Sequence, residues 1–134
     1  MKVTALKSAS VIGFIPTKNF HRAKAFYGRT LGLRFVAKDD FALVFEAGRN
    51  MIRVVRVEVF KPAPYTILGW QVADIGRFAA ALKRRGVRFQ RFPGLEQDGL
   101  GIWTAPGGAK VAWFKDPDGN VLSISCHGRR PGRA

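Results

Sequence analysis

The feature that most narrows the possible folds is an internal repeat. Gly13-Phe14 recurs as Gly69-Trp70, Asn19-Phe20 as Asp74-Ile75, and Gly32-Leu33-Arg34-Phe35 as Gly86-Val87-Arg88-Phe89, each offset by 54 to 56 residues. The matched positions are the punctuation of secondary structure, cap residues and closing glycines, so what is duplicated is a supersecondary unit.

In the first half, Val11–Thr17 reads as a buried strand with Pro16 near its end. Asn19 is a helix N-cap, and Phe20, Ala23, Phe26, Tyr27 and Leu31 recur at helical spacing before Gly32. Strands follow at 33–37, 41–45 and 51–57, with turns at Asp39-Asp40 and Gly48-Arg49-Asn50. A Pro-containing linker spans 60–64. In the second half, Tyr65–Val72 is a strand, Asp74 caps a helix over 75–85, and Gly86 ends it. Further strands are expected at 87–89, 100–104, 110–115 and 121–126, with a loop at 94–99 and a turn at Pro106-Gly107-Gly108. The expectation is one α+β domain over 1–134, made of two βαβββ modules. Module one covers about 9–58, module two about 64–126, and 127–134 is a basic tail.

The last two strands are joined by Lys115-Asp116-Pro117-Asp118-Gly119-Asn120. Pro117 presets φ, Asp116 can accept from the backbone two residues on, and Gly119 supplies a left-handed residue. In the following strand Val121, Ser123 and Ser125 share one face, Leu122 and Ile124 the other.

With 134 residues the chain can bury a full core. It carries 23 Lys and Arg against 9 Asp and Glu, a net charge of +14, which favours anionic ligands and surfaces. The densest basic clusters are Lys83-Arg84-Arg85-Gly86-Val87-Arg88 and Arg129-Arg130, with no base-reading motif beside them. Non-specific, salt-sensitive binding of polyanions is expected from them. No apolar run is long enough for a membrane span, and Lys7 interrupts any leader-like segment. A single cysteine, Cys126, allows no internal disulfide. A cytoplasmic protein is expected.

Taken together, Arg22-Ala23-Lys24-Ala25-Phe26-Tyr27-Gly28-Arg29-Thr30-Leu31-Gly32-Leu33, Val72-Ala73-Asp74-Ile75 and the corner at 115–120 resemble the vicinal oxygen chelate superfamily. This is the glyoxalase, bleomycin-resistance and extradiol-dioxygenase group, and the resemblance covers roughly residues 9 to 126. It implies two βαβββ modules whose strands form a half-open barrel around a cavity, often within a homodimer. It also implies a divalent metal held by His and Glu from the first strand of each module and from the last strand. Carried onto this chain, those positions are near Ile12, near Ile67 and at Ser123. One residue of register error offers Val11, Gly13, Thr66 or Leu68, none a usual ligand.

Other donors are poorly placed. His21 lies on the exposed side of the first helix. Glu46 ends a strand and suits a turn or a pairing with Arg49. His127 lies in the tail, and Cys126 and His127, as strand neighbours, point to opposite faces. No catalytic residue, metal ligand or cofactor is therefore expected.

Strand parity gives a candidate ligand pocket. Phe14 shares a face with Ile12 and Pro16, and Ile67 with Gly69 and Gln71, leaving Trp70 under the helix. One of Trp113 and Phe114 faces the cavity, with Phe114 the residue assigned. Trp103 and Ser123 add to the wall, and Arg53 (or Arg56) supplies a positive charge. The expected function is metal-free binding of a neutral or anionic aromatic or apolar small molecule. The alternative is a divalent-metal-dependent lyase or dioxygenase with displaced ligands.

Overall fold

Asn19 and Asp74 start the two helices in the same way. The Asn19 Oδ1 accepts from the Arg22 N–H at 3.0 Å, and the Asp74 Oδ1 from the Arg77 N–H at 3.1 Å. Each satisfies one of the orphan donors of a helix's first turn. The computed structural model describes residues 5–128, so Arg129, Arg130 and most of the expected tail lie outside the described residues.

The first unit contains β1 (Ile12–Thr17), α1 (Phe20–Lys24), β2 (Arg34–Lys38), β3 (Ala42–Ala47) and β4 (Asn50–Arg56). After α1 the chain continues in π-helical geometry over Ala25–Thr30, and the Leu31 N–H reaches back to the Phe26 carbonyl at 2.9 Å. The sequence reads this run as one regular helix. Side-chain spacing does not separate an i→i+5 turn from an α turn. The sheet order is β1-β4-β3-β2, with β1 parallel to β4 and the other pairs antiparallel.

By register, Ile15, Leu43, Phe45, Ile52 and Val54 lie on one face, all buried. Tyr27 covers Phe45 with ring centroids 6.1 Å apart, so this is the face that packs on the helical segment. The opposite face carries Phe14, which is 65% exposed, so β1 is buried on one side only and not throughout.

The second unit, separated from the first between Phe60 and Lys61, repeats the plan. It contains β5 (Thr66–Gln71), α2 (Ile75–Arg84), β6 (Trp103–Thr104), β7 (Lys110–Lys115) and β8 (Val121–Cys126). The order is β5-β8-β7-β6, again with the first and last strands parallel. In α2 the buried residues are Ile75, Ala79 and Leu82, at helical spacing, and α2 packs on β7 and β8. Ala112, Phe114, Leu122 and Ile124 form the buried sheet face. Truncating Phe114 to Ala would cost about 3–5 kcal/mol.

Two expected strands are corrected. Val87–Phe89 is not a strand; only Phe89 makes a bridge, to Phe114. The strand expected at 100–104 shrinks to Trp103–Thr104 because Gly101 turns the chain with φ +90°, while the Asp98 Oδ1 takes the Leu100 and Ile102 N–H groups. The outer edge of β7 is thus covered by two short pieces, Phe89–Gln90 at one end and β6 at the other.

The corner between β7 and β8 is built on Asp116. Its Oδ1 accepts from the Asp118 and Asn120 N–H groups, and its Oδ2 from the Asn120 Nδ2 at 2.8 Å. Gly119, at φ +91°, occupies the left-handed position. The corner fixes Lys115 opposite Val121 and hence Trp113 opposite Ser123.

Candidate functional site

The face of the second sheet away from α2 follows from that register. Gly69 pairs with Ser123, which pairs with Trp113; Gln71 pairs with Ser125, which pairs with Val111; Val111 pairs with Trp103. These residues share one side. Trp113 is the hub of an aromatic cluster: Phe92 meets it edge-on at 5.3 Å between centroids, and Trp103 lies 6.0 Å away at a 33° tilt.

Beside Trp113 opens a cleft of about 580 Å³ at the corner end of the sheet. Its walls are Tyr65, Phe92, Leu95 and Trp113, with Thr66 and Gln90 as hydrogen-bonding groups and Lys115 as its cation. No Asp or Glu is among its lining residues. The loop wall is held by Gln97, whose Oε1 accepts from the Phe92 N–H and whose Nε2 donates to the Gln90 and Gly101 carbonyls at 2.8 and 2.9 Å. Gly69 permits a close approach on the same face, since a Cβ there would stand 2.5 Å from the Ser123 Oγ.

Several expected site residues are placed differently. Phe114 does not face the cleft; it is fully buried on the α2 side, opposite Leu122 and edge-on to Phe89. Trp113, the other member of that pair, takes its place. Ile67 is the extra residue of a bulge, because Thr66 pairs with Val121 and Leu68 with Leu122. Alternation counted from Gly69 does not carry through a bulge, and Thr66, not Ile67, lines the cleft.

In the first unit Phe14 and Arg53 are cross-strand partners on the exposed face. Arg53 does not offer an unneutralised charge there: its Nη2 donates to the Asp39 Oδ2 at 3.0 Å. The Asp39 carboxyl is held below its usual range by the Phe41 and Ala42 N–H groups and then by Arg53. Glu46 pairs with Arg34 at 3.4 Å and not with Arg49. The Ser125 Oγ lies 3.0 Å from the His127 Nε2, and the Cys126 thiol points away to the Ala73 carbonyl.

Residues the sequence reading missed are Tyr65, Gln90, Phe92, Leu95 and Lys115. Lys115 had a signal, its place two residues from Trp113 on the same strand, and Tyr65 had one in beginning the expected strand 65–72 at the parity of Gly69.

Residues 8–124 match the profile of the Glyoxalase/Bleomycin resistance protein/Dioxygenase superfamily. The chain belongs to that superfamily. Among solved structures, a glyoxalase family protein from Bacillus anthracis superposes with a TM-score of 0.73 at 19% identity, covering 95% of this chain and all (100%) of the other. A superfamily member from Sphaerobacter thermophilus gives 0.72 at 22% identity, covering 90% and 98%. A lactoylglutathione lyase from Agrobacterium tumefaciens gives 0.68 at 18%, covering 89% and 93%. At these identities the likeness is one of fold. No curated protein matches the chain.

The superfamily's divalent metal does not fit the residues this member carries. The positions that the resemblance marks for ligands, near Ile12, near Ile67 and at Ser123, hold hydrocarbons and one hydroxyl, and the residue facing Ser123 from β5 is Gly69, with no side chain. Among the described residues no three of His, Cys, Asp and Glu come together in a metal-binding group. Among those residues, too, no helix is long and apolar enough to cross a membrane.

Proposed function

We propose that this superfamily member binds a small, flat organic acid, without converting it, in the cleft beside Trp113. One observation carries the reading: Trp113, backed by Trp103 and Phe92, forms an aromatic wall with the Lys115 ammonium on the same side of the strand. An apolar wall favours a buried ring at about 25 cal/mol per Å². The ammonium favours a carboxylate, and the absence of acidic residues from the lining disfavours a cation. The loss of donors at the inherited metal positions supports binding over metal-dependent lyase or dioxygenase chemistry.

The test is a calorimetric titration with benzoate, phenylacetate and naphthoate, using naphthylmethylamine and glucose as controls. At least one acid is expected to bind with one site per chain, and neither control. Trp113→Ala and Lys115→Glu should each weaken that acid tenfold or more, equivalent to about 1.4 kcal/mol. Unchanged affinity in both variants, or preference for the amine, would sink the reading.

A further inference from the structure

A second concavity, of about 530 Å³, lies at the C-terminal end of α2. It is lined by Lys83, Arg88 and Arg91, with Gly86, Gly99 and Gly101 among the remaining residues. We infer that it is an anion site for a compact phosphate-bearing molecule. This does not rest on the aromatic cleft.

The cations there are not spent on acids. No carboxylate lines the cavity, and among the described residues neither Lys83 nor Arg88 has a carboxylate partner. Arg91 is held by carbonyls: its Nη1 donates to Gln97 at 3.3 Å and its Nη2 to Asp98 at 2.6 Å. Those bonds fix the guanidinium without cancelling its charge. The nearby Asp98 carboxylate has its Oδ1 occupied by the Leu100 and Ile102 N–H groups.

Three like charges around one depression repel one another, and a bound polyvalent anion removes that repulsion. A helix C-terminus ordinarily disfavours an anion. Here three of the last four carbonyls are already taken: Ala81 and Leu82 accept from the Arg85 N–H, Leu82 from Val87 and Lys83 from Gly86. Open space adjoins the backbone at two of the three glycines. A Cβ at Gly86 or Gly99 would meet nothing within 4 Å, whereas one at Gly101 would press on the Phe89 Cβ at 2.8 Å. The three cations line one concavity of about 530 Å³ bordered by the 99–101 turn, an arrangement that suits a terminal phosphate or pyrophosphate.

The experiment is an amide-shift titration of the full chain with pyrophosphate, repeated with Lys83→Glu/Arg88→Glu. Both residues are exposed, so the variant keeps the fold, and its unperturbed spectrum elsewhere verifies this. Saturating shifts at Gly86, Arg88, Gly99 and Gly101 are expected, with affinity falling tenfold or more in the variant. Shifts spread over the basic surface without saturation, or affinity retained in the variant, would overturn the site. A single-stranded oligonucleotide is titrated in parallel. Tight binding of the strand, lost in the variant, with no saturable pyrophosphate binding, would overturn the small-molecule assignment in favour of a nucleic-acid surface.

Discussion

Gly69 and Ser123 face each other across β5 and β8, and a Cβ on Gly69 would stand 2.5 Å from the Ser123 Oγ. The Ser123 carbonyl and Cβ would be at ordinary distances of 3.4 and 3.8 Å, so the conflict is with the hydroxyl alone. Gly69→Ala is expected to destabilise by about 1 kcal/mol, as the serine leaves its rotamer. In a Ser123→Ala background the same change should be neutral or stabilising by about 0.5 kcal/mol, because alanine narrows the unfolded ensemble. Urea unfolding of the four proteins of this cycle measures the coupling; strictly additive effects would refute the contact.

Asp116 is 6% exposed and serves three donors of its own corner. Asp116→Ala leaves the Asn120 side chain and two backbone N–H groups without that acceptor, so a loss of at least about 2 kcal/mol is expected. Because the corner sets the register that aligns Trp113 with Ser123, ligand affinity should fall with it. Thermal melts and titrations on the same sample would show whether the two losses travel together.

The depressed carboxyl of Asp39 makes a prediction about pH. Its folded pKa lies below the unfolded value of about 3.9, so its contribution is present above that value. The contribution is lost as pH falls through the folded pKa. The gap in Tm between the native chain and Asp39→Asn should therefore be constant above about pH 5 and close as the pH drops below about 4. A gap that widens on acidification would contradict the assignment.

The chemistry at Ile12, Ile67 and Ser123 predicts that protein purified without chelator holds no stoichiometric zinc, nickel, manganese or iron. Elemental analysis decides it. One tightly held metal per chain, lost on replacing His21 or Glu46, would reverse the conclusion.

β1 is an edge strand with apolar residues left in water: Ile12 is 48% exposed, Phe14 65%, and the preceding Val11 67%. Such an edge calls for a cover. We expect a homodimer that buries it. Light scattering should give twice the chain mass at micromolar concentration, and Phe14→Glu should shift the protein to monomer. A monomeric native chain would dispose of this idea.

The fold was legible where short-range chemistry decides it. Asn19 and Asp74 announce helix starts through their side-chain oxygens, and Gly32 and Gly86 close them at φ +76° and +95°. Half of the Trp113 problem was legible as well. A corner that places Lys115 opposite Val121 places Phe114 opposite Leu122, on the helix side with Ile124. Counting across the turn would have chosen Trp113. The bulge at Ile67 left no mark in the residue pattern, so parity failed there. Phe92 and Leu95 lie outside the strands, where no period assigns a direction. The Asp39–Arg53 pair joins residues from a turn and a strand, a contact that neither segment encodes alone.

Gln97 fastens one end of the segment that walls the aromatic cleft, and the pairing of Gln90 with Trp113 fastens the other. Between them, Pro93, Gly94 and Glu96 make no ladder bonds with the sheet. Lengthening a loop between fixed ends costs little, with each doubling adding about 0.6 kcal/mol. Residues 93–96 can therefore be lengthened or exchanged at little cost to the scaffold. New ligand shapes can be explored there by insertion or exchange while both clamps, and the register beneath them, stay as they are.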